Sequence, residues 1–196
     1  MNKCLVLGSA FAILLYFPLW WQIKERAGAG QNFLTWALWF FLDVVAAASL
    51  ISKGGNFLLA ATYTVGSFIT ILVIRKFGEK GKWTWFESVI LALVFLSMGA
   101  WCFLGNRMAT ITSTTAMFIA GIPLLVDTYK KPKNAPFAVY LGYIVASCLS
   151  VAGGREWSVE ERFYPATVLA ISLLAALFAA RKFLGNRKAT SGESAL

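Results

Sequence analysis

The sequence contains no histidine, and only 14% of its 196 residues are charged. Without His there can be no His-dependent catalytic triad, His metal site or His proton relay. So little charge cannot cover a soluble domain, where about 25% of residues are charged. Cysteine is scarce too. The three Cys (Cys4, Cys102 and Cys148) each sit in an apolar run, which argues against a disulfide scaffold and for apolar fillers. There is no Walker loop, no dinucleotide fingerprint and no metal-ligand spacing, so no cofactor, no metal and no ATP-driven pump is expected. A membrane enzyme would need a convergent nucleophile and base or a metal-ligand set, and none is visible; the chain does not read as an enzyme.

What is abundant is apolar surface. Hydrophobic residues make up 59% of the chain and the mean hydropathy is +0.68. That excludes disorder and leaves a polytopic membrane protein. Seven apolar stretches approach the ~20 residues that a helical span needs: 4–23, 33–51, 56–74, 86–104, 109–127, 136–153 and 163–180. They are continuous rather than alternating, so helices are expected and a β-barrel is not. Helices also satisfy their own backbone in lipid. The first run ends in Phe17-Pro18-Leu19-Trp20-Trp21, a poor cleavage site for a signal peptide, so this helix is expected to be retained.

The net charge is +9, from 18 Lys and Arg against 9 Asp and Glu. In a soluble protein this would suggest nucleic acid. Here the basic residues cluster between apolar runs and read as membrane topology, with no nucleic-acid partner. Counted over alternate connections, Lys and Arg divide 13 against 5. The positive-inside rule then places the N-terminus outside and the C-terminus in the cytoplasm, with the plasma (inner) membrane as the expected location. Trp83, Trp85, Trp101 and Trp157 fall near predicted boundaries and read as belt residues.

The chain also resembles itself at an offset of 105–106 residues. Phe17-Pro18-Leu19 answers Ile122-Pro123-Leu124, and each is followed by a basic turn. Arg75-Lys76-Phe77 answers Arg181-Lys182-Phe183, while Phe57 and Ala60 answer Phe163 and Ala166. Helices 1–3 therefore pair with helices 5–7, and helix 4 is left over. One extra helix restores the second unit to the orientation of the first, giving two parallel three-helix repeats facing each other across an axis along the membrane normal. The expected organisation is 1–82 for the first repeat, 83–107 for a linker helix, 108–184 for the second repeat and 185–196 for a cytoplasmic tail. Phe103-Leu104-Gly105-Asn106-Arg107 recurs identically at 183–187, a coincidence on this plan.

Several residues point to chemistry. Asp43 is the acidic residue placed deep in a helix, midway along the second, where a carboxylate is expensive and should face a cavity or a partner. It reads as a group that hydrogen-bonds a solute or as a proton site. Its repeat mate is Cys148, so the feature is asymmetric. Trp36 and Trp39 share a helix face with Asp43, at successive spacings of three and four residues. Such faces stack on sugar rings or heterocycles. Tyr140, Tyr143 and Ser147 form a comparable stripe on helix 6. Thr62, Tyr63 and Ser67 on helix 3 and Thr167 and Ser172 on helix 7 are weaker candidates, because Ser and Thr often bond their own helix backbone. Pro18 and Pro123 occupy matching positions and could kink two helices at one mouth of a pathway, with Gln22 and Asp127 as gate partners; helix-end prolines and interfacial residues are the alternative.

The 3+1+3 plan, with Tyr16-Phe17-Pro18-Leu19-Trp20-Trp21-Gln22-Ile23 and the stretches Phe33 to Asp43, Gly54-Gly55-Asn56 and Thr62 to Ser67, resembles the SWEET / PQ-loop superfamily over about 180 residues. The Gln of that family's Pro-Gln pair is Leu19 and Leu124 here, and its pocket Asn falls near Thr62 or Tyr63. The resemblance implies a transporter of a small polar solute, sugar-like or another metabolite, working by alternating access between the repeats as facilitated diffusion. Vitamin or amino-acid transport on a related 3+1+3 plan, or a non-transporting receptor, are the alternatives it leaves open. The implied partners are a small-molecule solute and the lipid bilayer, and a homo-oligomer is compatible with the plan.

Overall fold

The computed structural model describes residues 2–25, 33–77, 83–132 and 135–192. Arg26, Lys80, Lys82 and Lys133, counted above for orientation, lie outside the described residues, as do residue 82, the end of the expected first repeat, and 193–196 of the expected tail. Among the described residues the secondary structure is helical, with no strand. In chain order the helices are α1 (Lys3–Glu25), α2 (Phe33–Lys53), α3 (Leu58–Phe77), α4 (Trp85–Leu104), α5 (Asn106–Ala120), α6 (Ile122–Lys130), α7 (Phe137–Gly153) and α8 (Tyr164–Gly192). A π-helical turn, Val159–Phe163, leads into α8.

Among the described residues six segments are long and apolar enough to cross a membrane: α1, α2, α3, α4, the run Asn106–Lys130 formed by α5 and α6, and Val159–Arg181. Helix α7 is apolar and has 17 residues, at the lower limit for a span. The outer surface carries large apolar side chains, among them Leu14 and Trp21 on α1 and Phe95, Leu96 and Phe103 on α4. Lipid solvates such a surface and water does not. The helices fit an integral membrane protein.

Three boundaries differ from those expected. The expected fifth span is two helices broken at Gly121, because Pro123 in the first turn of α6 has no N–H to continue the ladder. Pro18, its counterpart, lies inside an unbroken α1. Helix α5 begins at Asn106 rather than 109, so Gly105 alone joins it to α4. Helix α8 runs to Gly192, through part of the expected tail.

The turns explain the register of the bundle. Thr84 and Glu87 form a capping box that starts α4, with the Thr84 N–H donating to Glu87 Oε2 at 2.9 Å. Gly105 takes φ +82° and ψ −179°, a region essentially reserved for Gly, and the Trp101 indole donates to Asn106 Oδ1 at 2.6 Å across this joint. The chain therefore reverses in one residue, and α4 packs along α5 and α2. The buried stripe of α4 is Glu87, Ile90, Val94, Ser97 and Ala100, one side of a helix otherwise turned outward.

Packing follows a regular scheme. Helix α3 lies against both α1 and α2; α8 lies against α7 and against α5 and α6. Across the bundle, α1 meets α7 and α2 meets α5. Small residues permit the α1–α7 approach. A Cβ at Gly8 would sit 2.8 Å from the Ala146 carbonyl oxygen, and one at Gly153 would sit 2.6 Å from Leu5 Cδ2.

Gly105→Ala should lower stability by about 1–3 kcal/mol, since its strained backbone angles are the cost and no neighbour is in the way. Gly99→Ala, in a helix interior with equally open surroundings, should raise stability by about 0.5–1 kcal/mol. Thermal unfolding in detergent measures both, and equal effects would contradict the backbone argument.

Candidate functional site

Asp43 sits at the middle of α2 and is 4% exposed. Its carboxylate is held by two hydroxyl donors: Tyr164 donates to Oδ1 at 2.7 Å and Ser67 donates to Oδ2 at 3.3 Å. Tyr164 is in the first turn of α8, set there by the π-helical turn that precedes it. Three helices thus converge on one acid.

Asp43 lies on the wall of a cavity of about 110 Å³. Trp36 and Trp39 of α2 line it, with Tyr63 and Ser67 of α3, Tyr140 and Tyr143 of α7, and Tyr16 of α1. Met117 of α5, Leu124 of α6 and Val168, Ile171, Ser172 and Ala175 of α8 complete the wall. Eight of the candidate residues therefore meet around one space: Trp36, Trp39, Asp43, Tyr63, Tyr140 and Tyr143, with Ser67 and Ser172 of the weaker group. The indole N–H of Trp39 and the hydroxyl of Tyr63 are buried without a hydrogen-bond partner. Buried polar groups are normally satisfied, so two residues of the wall carry an unmet hydrogen bond.

The other expected residues lie elsewhere. Thr62 donates to the Leu58 carbonyl at 2.8 Å, the backbone role anticipated for such residues. Ser147 is fully buried with an unpartnered hydroxyl, and Thr167 is half-buried; neither is on the cavity wall. Pro18 and Asp127 are exposed, Gln22 and Pro123 are half-buried, and none of the four lines the cavity. The matched prolines do not make matched kinks, since α1 is continuous and the α5–α6 run is broken.

Sequence reasoning passed over Tyr16, the hub of the site. Its ring packs at centroid distances of 6.3 Å from Trp36, 6.1 Å from Tyr63 and 6.2 Å from Tyr143. It fits because position 66 is Gly: a Cβ there would overlap the ring. The available signal was Gly66 within the polar face of helix 3, which marks a close approach. Tyr164, beyond the expected cavity residues, was also missed.

The lining residues place the cavity on the side of Asp43 toward the ends of α1 and α3. At the opposite end of the bundle, where α1 begins, hydrogen bonds cross between the helices beside a second cavity of about 270 Å³ lined by Asn2, Asn56, Arg155 and Glu161. There Asn56 Nδ2 donates to the Ser150 carbonyl, Ser150 Oγ and the Glu161 carbonyl, each at 3.1 Å. The Asn56 N–H donates to the Glu160 carbonyl at 3.0 Å. Arg155 pairs with Glu161 at 2.7 Å and also donates to the Gly54 carbonyl. No cluster of His, Cys, Asp or Glu suited to a metal ion occurs among the described residues. No protein-family model matches the chain, and no curated protein or solved structure is significantly similar to it.

Gly66→Ala should destabilise the bundle by about 1–3 kcal/mol through overpacking against Tyr16. Adding Tyr16→Leu should recover part of that loss, because the two positions share one contact. Additive losses in the double variant, read by thermal unfolding in detergent, would remove Tyr16 as the neighbour that requires Gly66.

Proposed function

We propose that the chain is a membrane transporter in which a small solute binds between two parallel three-helix repeats, α1–α3 and α5–α8, with α4 as the linker. The crosswise contacts of α1 with α7 and α2 with α5 support this plan, since they are the pairs that a two-fold relation exchanges. A two-fold axis also brings equivalent positions together. Asn56 and Glu161 are 105 residues apart, the spacing of the sequence repeat, and they touch. The distribution of Lys and Arg favours the N-terminus outside and the end of α1 in the cytoplasm, in the plasma (inner) membrane.

The observation that carries the reading is the cavity at mid-bundle, lined from both halves of the chain and holding a buried carboxylate. Intramembrane acids line solute or ion pathways by default. With hydrogen bonds from Asn56 and Arg155 linking the two units at one end and the Asp43 cavity lying toward the other, the geometry fits an inward-facing state. Rocking of one unit against the other would break the Asn56 and Arg155 contacts and open the outer side. With no nucleotide site in the sequence, the proposed mode is facilitated diffusion.

Uptake into proteoliposomes, screened with labelled sugars, amino acids, vitamins and amines, tests the reading. Asp43→Asn should lower uptake of the accepted solute by about tenfold or more, the loss typical of a charged hydrogen bond. Uptake by the variant equal to that of the parent, or no uptake of any solute in the screen, would contradict it.

A further inference from the structure

The cavity is unbalanced in charge. Asp43 is buried, and no Lys or Arg lies on the cavity wall among the described residues. The ion pair between side chains among the described residues, Arg155 with Glu161, is at the end where α1 begins. Both carboxylate oxygens of Asp43 accept hydroxyl hydrogen bonds, an arrangement that suits the ionised form. A buried anion is costly unless a cation accompanies it. The wall lacks that cation, so an occupant can supply it.

The remaining wall suits such an occupant. Tyr63 and Tyr143 stand with ring centroids 5.6 Å apart, and Trp36 and Trp39 with centroids 5.3 Å apart. Together with Tyr16 and Tyr140 they make six aromatic side chains on the wall that holds the acid. Aromatic faces attract organic cations, most strongly where water is excluded. The rest of the wall is largely aliphatic, from Met117, Leu124, Val168, Ile171 and Ala175. A polyol buried there would leave most hydroxyls without partners, at a cost for each. The unpartnered Trp39 N–H calls for a single acceptor on the solute, and the Tyr63 hydroxyl can donate or accept.

We propose that the cavity recognises a small organic cation, a quaternary ammonium or protonated amine carrying one hydrogen-bond acceptor, with the charge held by Asp43 and the aromatic side chains. This rests on the transporter reading for its location and narrows the solute from sugar-like molecules to cations.

The test is equilibrium binding to the purified full chain in detergent, followed by tryptophan fluorescence. The probes are choline, tetramethylammonium and benzyltrimethylammonium, compared with 3,3-dimethylbutan-1-ol, which has the shape of choline without its charge, and with glucose. Saturable binding of at least one cation, at least roughly tenfold tighter than that of the neutral alcohol, is expected. Asp43→Asn should abolish the preference, and Trp36→Leu should weaken cation binding while leaving the carboxylate in place. If Asp43→Asn does not fold, the comparison of cation with neutral isostere in the parent protein still decides. Binding of the alcohol or glucose as tight as that of the cations, or no binding by any of the three cations, overturns the proposal. Uptake of a neutral solute without cation binding would sink this inference and leave the transporter reading intact. Cation binding without uptake of any solute would do the reverse.

Discussion

A carboxylate buried at the middle of a helix bundle has to be held by something. Asp43 is held by the hydroxyls of Tyr164 and Ser67, which come from two other helices. Losing either donor would leave a buried acceptor short of a partner, at about 1–3 kcal/mol. The hydrogen bonds therefore fix α2, α3 and the start of α8 relative to one another. They also hold the acid on the wall of a cavity rather than in a packed core. The π-helical turn before Tyr164 and the glycine that admits Tyr16 serve the same arrangement.

Symmetry and asymmetry divide the work. In the proposed two-fold scheme the α1–α7 and α2–α5 contacts are exchanged, and Asn56 meets Glu161 where the two proposed halves cross. On that proposed scheme the cavity is not symmetric, because Asp43 would have Cys148 as its mate and Cys148 is exposed. In the proposed transporter the symmetric contacts carry the movement, while the asymmetric side chains choose the solute. An asymmetric site can hold a charge at one side and apolar surface at the other.

Much of the fold was legible because lipid imposes a simple rule. Apolar runs of about 20 residues read as helices, and helices stand at each expected stretch. Charge in the midst of such a run marked Asp43, and spacings of three and four placed Trp36 and Trp39 beside it. Break points were less legible, because one proline can sit within a helix or split it. Pro18 leaves α1 whole, whereas Pro123 with Gly121 before it divides α5 from α6. Long-range partners were not legible at all. Nothing in the local pattern pairs Tyr164 with Asp43, 121 positions apart, or Gly66 with Tyr16. Those contacts depend on how the helices cross.

The central claim is that the space beside Asp43 communicates with one side of the membrane and is shut from the other. Ser172 is 5% exposed and lines that space, so a cysteine there reports on access. In a variant with Cys4, Cys102 and Cys148 replaced, Ser172→Cys should react with a membrane-impermeant thiol reagent applied from the cytoplasmic side of oriented vesicles. It should resist the same reagent applied from outside. Equal reaction from both sides, or none from either, would contradict the account.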